Sequence, residues 1–150
     1  MIYNNQNYFD YSFKNYLMLT TNSISSNSID LILKDINLNT NNLCKIDQIH
    51  SNKVIFADKP GHYGKADGLI TTTKHKMILY ILTADCMPIF IFDRKLGIYG
   101  LIHAGWRGVV NKIHYNAIDV FCDLGSRIEN INIFLGPSIR KCCFEIKNDI

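Results

Sequence analysis

The sequence offers no long, uninterrupted apolar run. Its longest, Met77 to Phe92, is broken by Asp85 and Pro88, so no membrane span is expected, since one needs about 20 apolar residues in succession. The first residues, Met1-Ile2-Tyr3-Asn4-Asn5, lack the basic stretch and apolar block of a secretory leader. Cysteines number five, an odd count without regular spacing, which does not fit a disulfide framework. Reduced thiols in a cytoplasmic setting are therefore expected. Charge is thin as well: the net value of +3 comes without any dense run of Lys and Arg, and nucleic acid is not an expected partner.

What is present fits an ordinary globular chain. The 150 residues, 47% hydrophobic and 19% charged, suffice for one domain, 1-150, with a core of its own. Neither an internal repeat nor a linker is visible. Apolar residues at Ile29, Leu31, Ile32, Leu33 and Ile36 fit a short helix with Ser28 as its N-cap, although a strand would explain part of that run. Leu43 to Ile49 and Lys53 to Ala57 read as two strands around a Ser51-Asn52 turn. Lys59-Pro60-Gly61-His62-Tyr63-Gly64 reads as a loop.

The centre of the chain carries the strongest strand signal. Met77 to Leu82 and Ile89 to Phe92 are near-continuous apolar runs rich in isoleucine, and Leu96 to Ile102 follows as a third strand. Val109, Val110, Ile113, Ala117, Val120 and Phe121 then trace one face of a helix stopped by Gly125. Ile131 to Leu135 is a further strand closed by Gly136-Pro137. The expected class is α/β (α+β), a mixed β-sheet with flanking helices.

Three polar groups fall at the ends of these expected strands: His50, Cys86 and His103. One thiolate and two neutral imidazoles make a three-ligand set suited to zinc, with a fourth position left for water or substrate. Their separation in sequence is no metal signature, and the alternatives stay open. A single Cys is commonly a small buried hydrophobe, and a His at a strand end is commonly just hydrogen-bonded. After His103, Gly105 and Gly108 permit close backbone approach. The following helix and Arg107 offer an anion site, or simply a tight turn with a solvated Arg. Asp85, beside Cys86, could orient a ligand, handle a proton, or hold its loop through backbone N–H groups. Asp67 could serve the site or start a turn. Trp106 is assigned to core packing, and Cys44 and Cys122 to buried positions. His62 and His75 are expected to face solvent, and His114 to lie at a boundary. Cys142-Cys143 is expected to pack or to remain as free thiols, since neighbours in sequence cannot form an ordinary disulfide.

Five segments occur in an ordered set: Gln48-Ile49-His50, Ala66-Asp67-Gly68-Leu69-Ile70-Thr71, Thr83-Ala84-Asp85-Cys86-Met87-Pro88, His103-Ala104-Gly105-Trp106-Arg107-Gly108 and Gly136-Pro137-Ser138-Ile139. The set resembles the family named for multicopper polyphenol oxidase or laccase-like proteins, also called purine nucleoside phosphorylases, which includes a bacterial peptidoglycan editing factor. The resemblance runs from about Leu43 to Ile146. It implies that His50, Cys86 and His103 are metal ligands, usually for zinc, and that Cys86, His103, Asp85 and Asp67 form the catalytic group. Arg107, Gly105 and Gly108 would face phosphate. The implied fold is shared with the cytotoxic necrotising factor and laccase-like cysteine hydrolase superfamily.

The implied activity is phosphorolysis of adenosine, inosine and guanosine, with adenosine deamination as a side reaction. The implied partners are therefore a small-molecule nucleoside and phosphate. A Gly/Ser-rich segment usual in the family cannot be placed before Leu43. Family members also continue past Glu145-Ile146, so the domain is expected to be shortened at its C-terminal end. Two other readings stand beside the zinc enzyme. One is a metal-free Cys86–His103 hydrolase or amidase. The other is a shortened remnant acting only by association, for instance as a homo-oligomer through an open sheet edge. A copper oxidase fits poorly, because the five His include no His-x-His pair.

Overall fold

The computed structural model describes residues 3–5, 8–10, 17–21 and 28–145. In chain order the strands are β1 (Tyr3–Asn5), β2 (Tyr8–Asp10), β3 (Leu19–Thr21), β4 (Leu43–Asp47), β5 (Val54–Phe56), β6 (Gly61–Lys65), β7 (Gly68–Thr72), β8 (Ile78–Leu79), β9 (Met87–Asp93), β10 (Ile98–Ala104) and β11 (Ile131–Leu135). The helices are α1 (Ser28–Asp35), α2 (Trp106–Val110) and α3 (Ile113–Asp123). The mixed architecture of sheets with few helices agrees with the class read from the sequence.

The central sheet has five strands in the order β11-β9-β10-β7-β5. Antiparallel β9 and β10 pair from Ile98↔Asp93 to Ala104↔Met87. Strand alternation divides their side chains between two faces. Ile70, Ile91, Ile98 and Ile102 pack with Ile113, Ala117 and Phe121 of α3 in one cluster. On the other face Phe90 and Phe92 join Met18, with Tyr99, Leu101 and Phe134 packed around them. A groove of about 1240 Å³ runs over this aromatic face, lined by Met18, Phe90 and Tyr99 among others. Because both faces of β9 carry apolar side chains, its sequence reads as a continuous run rather than an alternation.

A second sheet, β6-β4-β8, is built from parallel pairs. The segments 43–49 and 53–57 are thus both strands, but they do not pair across the Ser51-Asn52 turn. β4 enters the second sheet and β5 becomes the edge of the first, parallel to β7. The expected loop at 59–64 is mostly strand β6, with its glycines at positive φ, 146° for Gly61 and 68° for Gly64. Glycine tolerates such backbone, so these residues bend the strand without ending it. Strand pairing over 77–82 shrinks to Ile78–Leu79, and the chain beyond serves the site instead.

The expected helix after Gly108 is two helices. Lys112 sits at φ 65° between α2 and α3, in left-handed backbone that interrupts the helical ladder, so Val109 and Val110 are exposed while Ile113, Ala117 and Phe121 are buried. Helix α1 begins at Ser28 itself, and the position before it lies outside the described residues.

Phe121 is fully buried, whereas Tyr115 on the same helix is 57% exposed. Phe121→Ala should therefore cost about 3–5 kcal/mol in urea denaturation, the usual range for emptying an aromatic core position. Tyr115→Ala should stay within about 0.5 kcal/mol of the unmodified chain.

Candidate metal centre

Register places the polar residues at one end of the central sheet. Val54 pairs with Gly68, Gly68 with Ile102, and Ala104 with Met87. The starts of β5, β7 and β9 and the end of β10 therefore share that end. His50 precedes β5, Asp67 precedes β7, Cys86 precedes β9 and His103 lies near the end of β10.

The three expected ligands come together. One ligand atom from each of His50, Cys86 and His103 lies within 4.8 Å of the other two. The Cys86 Sγ and His50 Nε2 are 3.8 Å apart, and the His50 and His103 rings meet edge to face at 4.8 Å between centroids. Around a tetrahedral zinc with ordinary bond lengths, sulfur and nitrogen ligands lie about 3.5 Å apart, close to the separation of Cys86 and His50. Burial is graded: His103 is 4% exposed, Cys86 half-buried and His50 exposed. Such a group is walled on the sheet side and reachable from solvent.

Asp67 organises the group. It is fully buried, and one carboxylate oxygen accepts from His103 Nδ1 at 2.8 Å. Its oxygens also accept from the N–H groups of Ile49, His50 and Ser51 and from the Ser51 hydroxyl, the last at 2.7 Å. Bonding through Nδ1 leaves His103 Nε2 as the atom available to a metal, the arrangement that fixes ring orientation in many metal sites. The same bonds hold His50 at φ 58°, left-handed backbone that a residue with a Cβ rarely adopts. Burial pushes the Asp67 carboxyl up, but the bonds from His103 and Ser51 and from the Ser51 and His50 amides outweigh it. The net result lies below the usual range, so Asp67 is ionised.

Close packing at Gly105 completes the frame. A Cβ there would lie 2.7 Å from His50 Cδ2 and 3.1 Å from Cys86 Sγ, so the approach of the ligands needs glycine. At Gly108 a Cβ would meet the Ser51 carbonyl oxygen at 2.9 Å. Arg107 is exposed, with its guanidinium 4.4 Å from the Trp106 ring centroid. Trp106 is only half-buried and is used as that platform, not as a core residue. Asp85 is exposed beside Cys86. Its backbone carbonyl holds the loop, accepting from Ile139 N–H at 3.0 Å.

Gln48 and Ser51 received no role from sequence reasoning. The Gln48 amide donates to the Leu82 carbonyl and accepts from the Leu82 N–H, each at 2.7 Å. It thus ties the strand leading to His50 to the loop leading to Cys86. Its place two residues before His50 was the one available signal. Cys44 is buried as expected, whereas Cys122 is exposed. His62 and His75 are exposed and His114 is half-buried, as expected.

These observations define an α/β protein with a His–Cys–His group of metal-binding geometry. The chain belongs to the family described as multi-copper polyphenol oxidoreductase laccase, which it matches over residues 20–150. It is 35% identical over 106 residues to the purine nucleoside phosphorylase of Deinococcus radiodurans, covering 71% of this chain and 41% of that protein. It is 36% identical over 84 residues to adenosine deaminase RL5 from an unknown prokaryotic organism, covering 56% and 32%. Its fold superposes on YlmD from Geobacillus stearothermophilus with a TM-score of 0.76 at 22% identity, covering 81% of this chain and 49% of that one. The chain thus spans less than half the length of these relatives. No helix among the described residues is long and apolar enough to cross a membrane.

Asp67→Asn keeps the size of the side chain but turns an NH₂ toward donors. A loss of about 2–4 kcal/mol is expected in denaturant melts, from buried bonds to a charged acceptor. Because the folded carboxyl titrates below its unfolded value, the stabilisation is complete above about pH 4 and fades as pH falls through the lower folded value. The mutational deficit should shrink over that acid window.

The Cys86 thiol is pushed up, first by burial and then by the Asp85 and Asp67 charges, so without metal it is protonated at neutral pH. Its alkylation by iodoacetamide should be slower at pH 7 than that of exposed Cys122 and should rise into the alkaline range. Fast alkylation at pH 7 would contradict this environment.

Proposed function

We propose that His50, Cys86 and His103 hold zinc and that this centre serves phosphorolysis of purine nucleosides. The observation that carries the reading is the convergence of three ligand atoms, one on a histidine whose other ring nitrogen is fixed by a buried carboxylate. The names of the relatives supply the reaction class. The donor set favours zinc over a copper cluster. Only two of the five imidazoles lie in the group, while His62 is bound to Asp47 and His114 stacks near Tyr115. Zinc held there would act as a Lewis acid that makes an oxygen nucleophile available near neutral pH.

The chain's own residues have separable tasks in this reading. Asp67 keeps His103 in one tautomer and one orientation. Gly105 lets His50 and Cys86 pack against the start of α2 without a clash. Arg107, exposed at the turn with Gly105 and Gly108, supplies positive charge and paired N–H donors to phosphate. Asp85, beside the ligands and open to solvent, takes up or returns the proton exchanged at the purine. Adenosine deamination would instead add water at the amino-bearing purine carbon and release ammonia, with Asp85 again placed to exchange the proton. Cytoplasmic location accords with ligation by a reduced thiol.

A metal-free hydrolase with Cys86 as nucleophile and His103 as base is the second reading, although the imidazole in contact with Cys86 is that of His50. The raised thiol weighs against it, since nucleophilic cysteines are normally pushed down.

Zinc content by plasma mass spectrometry, together with inosine cleavage in phosphate buffer, tests both readings. One zinc per chain, lost in Cys86→Ala and His103→Ala, is expected, with hypoxanthine released only by the zinc-loaded chain. Arg107→Ala should raise the KM for phosphate about tenfold or more while zinc stays bound, as loss of about 1.5–3 kcal/mol from a charged contact implies. A zinc-loaded, folded chain that never cleaves inosine or adenosine would end the phosphorylase reading. Cleavage that survives chelation and stops on alkylation would establish the hydrolase.

A further inference from the structure

Two thiols outside the metal centre meet near the end of the described chain. Cys142 and Cys143 are both free and exposed, and their Sγ atoms are 3.3 Å apart. In extended backbone neighbouring side chains point to opposite sides. Here a turn prevents that: the N–H groups of Cys143 and Phe144 both donate to the Arg140 carbonyl, at 2.9 and 3.1 Å. The turn's approach is fixed too, since the Ile139 N–H donates to the Asp85 carbonyl at 3.0 Å. Of the two expectations for this pair, free thiols rather than packing holds, and the exposed pair is brought together by its own turn.

The geometry restricts what the pair can do. Neighbouring Cα atoms across a trans peptide lie about 3.8 Å apart, below the range of about 4.4–6.8 Å that disulfides require. The thiols thus remain a reduced pair that can close on a third atom. Two thiolates on a tetrahedral zinc would sit about 3.8 Å apart, wider than this pair. A linear two-coordinate soft metal would need them on opposite sides. A trivalent pyramidal centre, with bond angles nearer a right angle, needs the closest approach of the three.

We propose that Cys142 and Cys143 form a dithiol chelation site for a trivalent, thiophilic metalloid of the arsenical class. With an organoarsenic(III) oxide, two As–S bonds form and the As–O bond breaks, and both thiol protons leave with the oxygen as water. No oxidant or reductant is consumed. The contact with Cys142 pushes the Cys143 thiol up, so the pair holds at neutral pH the protons that this condensation releases. This site stands apart from the zinc reading, and its failure would leave that reading untouched.

The probe is phenylarsine oxide added at one equivalent to the intact chain, followed by an excess of a monothiol and intact-mass spectrometry. Adducts on single thiols exchange away, whereas a chelate persists. The expected result is one monothiol-resistant adduct that maps to the peptide holding residues 142–143. Cys142→Ser and Cys143→Ser should each abolish it, and Cys86→Ala and Cys122→Ser should each retain it. Both serine variants change exposed positions, and a circular dichroism melt confirms that they fold. No resistant adduct in the unmodified chain, or one that survives the double serine variant, would overturn the proposal.

Discussion

A buried carboxylate without a neighbouring cation is costly unless hydrogen bonds replace its water, and Asp67 is such a group. Its oxygens gather bonds from three successive backbone amides, one hydroxyl and one imidazole. Those donors come from two places far apart in sequence, the turn at 49–51 and the end of β10. The carboxylate can be satisfied only if both arrive together. Satisfying it therefore places His50 and His103 beside each other, with the first in a backbone conformation it would not otherwise keep. The third ligand is brought in differently. Cys86 precedes β9, whose register against β10 sets its distance from His103, while Gln48 and Ile139 hold its loop from either side.

That division explains what could be read from the sequence. Candidate ligands were legible because Cys86 and His103 interrupt apolar runs, where a polar group needs a reason to be present. Strands β9, β10 and β11 were legible from the same runs. Pairing was not: the segments around Ser51-Asn52 looked like a hairpin, yet local pattern says nothing about which sheet a strand joins. β6 was hidden because its glycines and His62 carry turn chemistry, and only pairing with β4 makes it a strand. The helix break was hidden because the apolar positions around Lys112 keep helical spacing through an unusual φ. Asp67 was legible as a residue that serves the site or starts a turn, but its fivefold bonding depends on contacts 16 to 36 residues away.

The surface beyond the site has its own asymmetry. One face of the central sheet is closed by α3, while the other carries an aromatic cluster beneath an open groove. At the edge of that sheet β11 pairs, among the described residues, with β9 alone and exposes Ile133 and Leu135 at 53% and 54%. None of this touches Asp67 or the three ligands, which lie at the sheet end and depend on β7, β9 and β10. The candidate centre is thus framed by strands of the central sheet, and this chain covers 41% of the Deinococcus relative and 49% of YlmD. A centre can be complete in its ligands while the walls that choose a substrate come from elsewhere.

The electrostatics of the centre oppose ionisation of its thiol. Asp67 and Asp85 both lie near Cys86 and oppose its ionisation, as does burial. A thiol meant to attack a carbonyl would normally have its ionisation favoured by its surroundings. Two carboxylates beside two imidazoles and a thiol suit a divalent cation far better, because the cation reverses the sign of every one of these interactions. With such a charge in place, the thiolate, the ionised Asp67 and the exposed Asp85 all become favourable together. The features that hold Cys86 inert in isolation are the ones that would hold a metal ion firmly.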